Sequence, residues 1–414
     1  KGEAGEMKAM ALSKRKRNMM QLLVLAFFAF AVSIRFYVGT VNCLNTTVYA
    51  FSYKYGFVSR GFMGTVVRVI NYIFHINLLT YDGLVRFSMF LNILYLIVLF
   101  FFFWNILKRT EQRYEGRILA LMFVFGTFAF PEYLTEENFG RSDVCLVMIS
   151  LFGCYLLLKE KFEWLIIPLS AVAVSIHQGY VLMFFHVILA ILFTRIFDTE
   201  GKKRRKYIFI FTASLLTASA LFLYFSFFSH QKDLSLYDEI YANASSYAHD
   251  GVVQYNVILN EIFGISPAAD EWDEHLHNFA EFPIFVVFML PYLVIAFRFF
   301  KNVLSEAKGI YKLKYLAVAV GAATILPDLL MKIDYGRWMF SIIFYYFVVI
   351  LMLLAMGDTL IGRQFHRSVE AIKRRPAAVI FLLIYPLLFT PLEDVYICDF
   401  TRILVDSFMP PIYP

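Results

Sequence analysis

Residues 84–107 read LVRFSMFLNILYLIVLFFFFWNIL, a run with a single charged side chain that is followed directly by Lys108 and Arg109. As a helix, this run is long enough to cross the hydrocarbon core of a bilayer, which needs about 20 apolar residues. The whole chain of 414 residues is 60% hydrophobic and 17% charged, whereas about a quarter of the residues of a soluble domain are charged. The composition therefore predicts an all-α, polytopic membrane protein and excludes a soluble enzyme or a secreted disulfide scaffold.

Further apolar runs predict about eleven transmembrane helices. We place these spans at 20–38, 84–107, 118–131, 143–158, 163–176, 180–197, 207–229, 283–299, 315–331, 337–357 and 377–391. Several of these runs are shorter than a full crossing, so tilted helices or half-helices are expected among them. The organisation is then a basic N-terminus (1–19), a transmembrane domain (20–391) with long external loops at 39–83 and 230–282, and a C-terminal tail (392–414).

Basic clusters between the spans predict the orientation. They are Lys14–Arg17, Lys108–Arg109 with Arg113 and Arg117, Lys202–Lys206, Lys301–Lys314 and Arg363–Arg375. All of them fall on one side of the eleven-span arrangement, and the positive-inside rule makes that side cytoplasmic. We expect a multi-pass protein of the plasma membrane, in a bacterial inner membrane, with a cytoplasmic N-terminus and an extracytoplasmic C-terminus. The net charge of +6 reflects this asymmetry and predicts no nucleic-acid partner.

The first external loop contains a stretch with helical periodicity. Its apolar face comprises Phe62, Val66, Val69, Ile70, Ile73 and Phe74, and its polar face Arg68, Asn71 and His75. This pattern favours an amphipathic helix that lies in the membrane interface. The alternative, a further span, would invert the side of every later basic cluster.

Four polar clusters fall on the predicted outer side, next to spans where ionisable residues are costly and are functional hypotheses by default. They are Ser59-Arg60-Gly61 with Gly56 and Gly64; Glu132, Glu136, Glu137, Asn138, Arg141 and Asp143; His177-Gln178-Gly179-Tyr180, which interrupts a long apolar stretch; and Asp334-Tyr335-Gly336-Arg337-Trp338. Each cluster by itself also fits a structural role: a snorkelling arginine, a solvated loop, a hairpin turn or an interfacial salt bridge. All four clusters fall on the same predicted face, and this common location predicts a single extracytoplasmic site.

Each residue type in these clusters suggests a role. Arg60, Arg141 and Arg337 offer guanidinium groups that fit the phosphate of a lipid-linked substrate. The carboxylates of Asp143, Glu137 and Glu136 are candidate general bases and could also hold a divalent cation. His177, Gln178 and Asp334 are expected to orient the acceptor or an arginine, and Asp334 could pair with Arg337.

This layout resembles the GT-C class of membrane glycosyltransferases. The resemblance covers residues 20–300: a cytoplasmic N-terminus, a long first external loop with juxtamembrane helices, short loops, and a large external loop after the seventh span. It implies that a sugar moves from a polyprenyl-phosphate-linked donor to a glycan or lipid acceptor of the cell envelope. The class typically carries a catalytic acid in the first external loop, where this chain has none before Asp82. The base would then be Asp82 or an acid of the second external turn.

Two other functions stay open. The chain also resembles polymerases and ligases of bacterial surface polysaccharides such as O-antigen or capsule, in which arginines hold the pyrophosphate of an undecaprenyl-linked glycan. A flippase or transporter for a lipid-linked sugar is the second alternative, for which inverted repeats and paired broken helices would be the cue. The sequence shows one broken segment, near His177, and no repeat.

Overall fold

The computed structural model describes residues 39–109, 138–265, 270–331, 335–375 and 377, and all of its regular secondary structure in these ranges is helical. The predicted all-α class is therefore confirmed. The predicted spans 20–38 and 118–131, most of 377–391 and the tail 392–414 lie outside the described residues.

The helices follow one another with short connections. In chain order they are α1 (Cys43–Ala50), α2 (Gly61–Phe74), α3 (Tyr81–Arg109), α4 (Asp143–Lys159), α5 (Ile166–Ile176), α6 (Tyr180–Met183), α7 (Phe185–Asp198), α8 (Gly201–Phe227), α9 (Leu236–Tyr247), α10 (Tyr255–Ile258), α11 (Asp270–Glu306), α12 (Tyr311–Val320), α13 (Leu326–Met331), α14 (Tyr335–Ala355) and α15 (Thr359–Lys373). A π-helical turn, Leu259–Phe263, continues α10, and 3₁₀ turns occur at Tyr53–Tyr55, Glu163–Leu165, His249–Gly251 and Gly321–Ile325.

Three of the described helices are long and apolar enough to cross a membrane. They comprise Tyr81–Ile106, Gly201–Phe227 and Gly336–Ala355, and they coincide with the predicted spans 84–107, 207–229 and 337–357. Two further apolar helices, Gly61–Phe74 and Glu163–Ile176, are shorter. These helices support a membrane protein, while the eleven-span arrangement and its orientation stay predictions.

The predicted interruption at His177 is confirmed. Helix α5 ends at Ile176, and His177 has extended backbone angles (φ −157°, ψ 123°). The chain then turns through Gln178 and Gly179 into the short helix α6. His177 therefore lies outside both helices.

Two predicted boundaries differ from the structure. The span predicted at 283–299 is part of the longer helix α11, which begins at Asp270 and contains Pro283 and Pro291. The acidic stretch assigned to the external loop is therefore part of this helix. The span predicted at 315–331 is divided into α12, a 3₁₀ turn and α13, and the turn at Gly321 lies directly against the side chain of Tyr345.

Helix α2 matches the periodic stretch of the first external loop. Its buried residues are Gly61, Met63, Gly64 and Val67. Val69, Ile73 and Phe74, on the predicted apolar face, are exposed. Half of that face is therefore exposed, while Phe62 and Ile70 pack against the core. The position of this helix in a membrane interface stays a prediction.

Polar contacts collect at two opposite ends of the bundle. At one end, Asp143 at the start of α4 meets Arg337 in the first turn of α14. At the other, Asp198 at the end of α7 and Asp358 after α14 both meet Lys314 of α12. We call the first the site end and the second the basic end. They contain the residues that the sequence assigned to the outer and cytoplasmic sides, respectively.

Candidate functional site

A small cavity at the site end is lined by residues from all four predicted polar clusters. Its volume is about 30 Å³, enough for a water molecule. The lining residues are Leu44, Asn45, Val48, Tyr49, Arg60, Gly140, Arg141, Ser142, Asp143, His177 and Arg337. The structure therefore places five of the predicted site residues around one space.

Asp143 is the central carboxylate of this site. The chain turns at Gly140, with a φ of +90°, so that α4 begins at Asp143. Arg337 Nη1 donates to Asp143 Oδ2 at 2.7 Å, and His177 Nδ1 donates to Asp143 Oδ1 at 3.0 Å. The side chains of Arg337 and Asp143 are only 7% and 6% exposed. Both carboxylate oxygens are therefore engaged in a buried network that joins α4, α14 and the turn after α5.

His177 links Asp143 to Arg60. Arg60 Nη2 lies 2.9 Å from His177 Nε2. A guanidinium carries donors and no acceptor, so Nε2 must accept this hydrogen bond, and the ring proton must be on Nδ1, facing Asp143. His177 is therefore neutral. It lies between the predicted spans 163–176 and 180–197, and burial, followed by the positive charge of Arg60, lowers its pKa, which agrees with this tautomer.

Arg60 lies at the rim of the cavity, directly before α2. Its φ of +55° is left-handed, a conformation that costs a non-glycine residue about 1–2 kcal/mol. Besides His177, its Nη2 contacts Glu261 Oε1 at 3.1 Å, and this pair is more exposed (24% and 17%) than the pair of Asp143 and Arg337. The Nε atom of Arg60 is buried without a protein partner among the described residues, so one of its donors remains for a ligand or water.

Ser59 and Gln178 extend the network from Arg60. Ser59 Oγ lies 2.8 Å from Gln178 Oε1 and 2.9 Å from Glu261 Oε2. The predicted orienting residue Gln178 therefore contacts the cluster through Ser59, at the rim rather than in the cavity.

Glu261 is a member of the site that sequence reasoning missed. It lies in the π-helical turn Leu259–Phe263 of the segment predicted as the second long external loop, about 200 residues along the chain from Arg60. π-Helical turns are frequent at functional sites. Buried Ile258 lies three residues before Glu261 and buried Ile262 directly follows it, and this pattern could have marked Glu261 as an inward-facing carboxylate.

The remaining predicted site residues are distributed differently. Arg141 is buried and lines the cavity. Glu136, Glu137 and Asp334 lie outside the described residues, so the predicted pairing of Asp334 with Arg337 stays a prediction.

The described part of the chain offers no ready metal site. Within it, no group of three or more His, Cys, Asp or Glu side chains is arranged to hold a metal ion. The oxygens of Asp143 accept from Arg337 and His177, so a cation there would have to displace one of them. The described residues do not fit a divalent cation in their present arrangement.

Comparison of the chain with protein-family models, with curated protein sequences and with solved structures finds no match.

Proposed function

We propose that this protein is a membrane glycosyltransferase that acts at the site end, on the extracytoplasmic face, and takes a sugar from a polyprenyl-phosphate-linked donor. The observation that carries the proposal is the convergence of Arg60, Arg141 and Arg337 on one cavity of an apolar helical protein. Three guanidinium groups around one space suit an anion with several oxygens, and phosphate is the anion that arginine forks match best.

The surroundings of the cavity suit a lipid-linked ligand. Arg60 directly precedes α2, on whose apolar face Val69, Ile73 and Phe74 are exposed. On the other side of Arg60, Phe57 is exposed and packs against Tyr224 and Phe225 near the end of the long apolar helix α8. An apolar chain attached to a phosphate at Arg60 would therefore find apolar surface on both sides.

The network suggests how the site would work. The cavity has room for little more than one water molecule, so a substrate phosphate must open the rim, where Arg60 binds Glu261. When Arg60 turns to the phosphate, His177 Nε2 loses its donor and can take the proton of the acceptor hydroxyl. The acceptor oxygen then bonds to the sugar carbon as the bond from that carbon to the phosphate breaks. Asp143 would stabilise the protonated ring through Nδ1, as a carboxylate does in a His–Asp pair.

The arginines would stabilise the charge that develops on the leaving phosphate, which is where preorganised cations contribute most. Glu136, Glu137 and Asp143 itself stay candidates for the base. Asp143 would first have to release one of its two hydrogen bonds.

A polysaccharide polymerase or ligase is the second candidate. Three arginines rather than one favour it, because a diphosphate presents more oxygens than a monophosphate. Its chemistry at the cluster would be the same, with an undecaprenyl diphosphate as the leaving group.

Mass spectrometry of the lipids that co-purify with the full chain in mild detergent tests the proposal. We expect a polyprenyl monophosphate, bare or with one sugar, to be present with the wild type and lost from Arg141→Ala. The matched control is Arg204→Gln, an exposed arginine of α8 at the basic end. If a polyprenyl diphosphate that carries an oligosaccharide co-purifies instead, the polymerase or ligase replaces the glycosyltransferase as the proposed function. Ordinary phospholipid as the sole lipid class, or equal retention by all variants, would refute both.

A further inference from the structure

A much larger cavity lies at the basic end, away from the proposed site. Its volume is about 950 Å³, at the upper end of the range of small-molecule sites. It is enclosed by the end of α7, the end of α11, the start of α12 and the turn between α14 and α15. The charged side chains that line it are Arg195, Asp198, Glu306, Lys308, Lys314, Asp358 and Arg363.

The two aspartates of this cavity share one buried lysine. Lys314 is only 2% exposed and donates to Asp198 at 2.8 Å and to Asp358 at 2.8 Å. Asp358 also accepts from Tyr315 Oη at 2.9 Å and from the backbone N–H of Ile361 at 3.0 Å, so it caps the start of α15. The lysine therefore offsets one of the two negative charges, and the hydrogen bonds engage the oxygens of Asp358.

The mouth of the cavity carries an excess of positive charge. Glu306 is shared by Arg363, at 3.8 Å, and Arg367. Lys308 is exposed, and it forms no ion pair with any of the described acidic residues. The mouth thus carries Lys308 and Arg363, with Arg367 beside them, against the single carboxylate of Glu306.

Helix α12 joins this charged cavity to an apolar surface. Tyr311, Lys314 and Tyr315 line the cavity. On another face of the same helix, Leu313 and Leu316 are 54% and 45% exposed, and Ile310, directly before it, is 62% exposed. An amphiphile with an anionic head and an apolar chain matches both surfaces at once.

We propose that this cavity binds the phosphate headgroup of an anionic membrane lipid, with Lys308 and Arg363 on the phosphate and the acyl chains along Ile310 and Leu313. Basic pockets between helix ends on the cytoplasmic side are suited to anionic headgroups. A soluble phosphate compound could bind the same two cations. The exposed apolar residues of α12 favour a lipid, because a soluble compound would leave them uncovered. This site is independent of the transferase proposed at the other end.

Native mass spectrometry of the full chain in detergent, with phosphatidylglycerol, phosphatidylcholine or glycerol phosphate added, tests this proposal. We expect the wild type to bind phosphatidylglycerol in preference to the other two probes. The double variant Lys308→Gln/Arg363→Gln should bind it about tenfold more weakly, because two cations near the headgroup are lost. The control Lys301→Gln/Lys312→Gln removes the same charge from exposed positions at the same end that do not line the cavity, and it should bind like the wild type.

Equal losses in both double variants would show attraction by overall charge and overturn the site. Equal binding of phosphatidylcholine, or of glycerol phosphate, would overturn the anionic lipid as the ligand. A melting curve of each variant checks folding, and the single variant Lys308→Gln, at an exposed loop position, provides a milder test with a smaller expected loss.

Discussion

At the scale of single residues, the site depends on one buried ion pair and one partly buried pair. Asp143 and Arg337 are almost completely buried, whereas Arg60 and Glu261 are partly open to solvent. A buried charge that loses its partner is strongly destabilising, while a pair closer to solvent contributes less. The first pair therefore maintains the structure of the site, and the second is the one that a ligand can displace.

Replacement of Asp143 by Asn should destabilise the fold by about 3–5 kcal/mol, because it leaves the buried guanidinium of Arg337 uncompensated. Thermal or denaturant unfolding of Asp143→Asn, Arg337→Gln and the double variant measures this effect. Each single change removes the same ion pair. The double variant should therefore lose clearly less stability than the sum of the losses of the two single variants. Additive losses would contradict a direct coupling between these side chains.

Replacement of Glu261 by Gln should increase the affinity for inorganic pyrophosphate, a soluble probe of the proposed phosphate site. The change removes a carboxylate that competes for Arg60. The pair is partly open to solvent, and the loss of such a pair should raise the affinity about fivefold. Isothermal titration in detergent measures the affinity. Glu239→Gln is the matched control, because Glu239 lies on the same external segment and pairs with Lys54 instead.

The titration distinguishes phosphate binding by Arg60 from competition by Glu261 for the same arginine. If Arg60→Gln weakens binding but Glu261→Gln leaves it unchanged, the phosphate site stands and competition by Glu261 is refuted. If Arg60→Gln also has no effect, the phosphate role of Arg60 itself is refuted.

At the scale of elements, close packing of α2 on the preceding segment positions Arg60. A side chain at Gly64 would run into the backbone carbonyl oxygens of Tyr49 and Phe51, so only glycine lets α2 approach this closely. Tyr49 also lines the cavity. The backbone contact at Gly64 thus fixes the distance between Arg60 at the start of α2 and the wall formed by α1.

Gly64→Ala should therefore destabilise the protein by roughly 1–3 kcal/mol, the usual cost of overpacking, although alanine favours helices. It should also shift α2 and weaken binding at Arg60. Unfolding and pyrophosphate titration measure the two effects. Tyr72→Ala, at a highly exposed position of the same helix, should change neither, and a similar loss in that control would contradict the role of the close contact.

At the scale of the whole molecule, charged residues are sorted between two ends that are joined by apolar helices. The basic end is closed by Lys314, which connects the end of α7 to the turn between α14 and α15. The site end is closed by Asp143, His177 and Arg337. Each network joins segments that are far apart in sequence, so each fixes how the long helices are aligned.

Lys314→Met should destabilise the protein by about 3–5 kcal/mol, because two carboxylates then remain without their buried cation. Thermal unfolding in detergent measures the loss. The matched control, Lys312→Met, removes an exposed lysine from the same helix and should change stability by less than about 0.5 kcal/mol. Similar melting temperatures for the two variants would show that Lys314 does not join these helices.

Local pattern determined much of the architecture. The apolar runs at 84–107, 207–229 and 337–357 and the break at His177 were predicted from the sequence and confirmed by the structure. Such features are local, because a single run of residues must satisfy its own backbone and face apolar surroundings. The hydropathy pattern did not show that the helix containing 283–299 begins at Asp270, or that 315–331 is divided at Gly321. Helix ends and close packing depend on neighbours that such a pattern does not contain.

The sequence alone determined that this protein is helical and rich in apolar, membrane-type segments, and it singled out Arg60, Arg141, Asp143, His177 and Arg337 as unusual. Only the tertiary structure decided that Asp143 binds Arg337 across 194 residues and that Glu261 reaches Arg60. The physical reason is that hydropathy and helical periodicity extend over one or two turns, whereas an ion pair between helix ends depends on the packing of whole helices. That packing also created the cavity at the basic end, for which no single segment of sequence carries a signal.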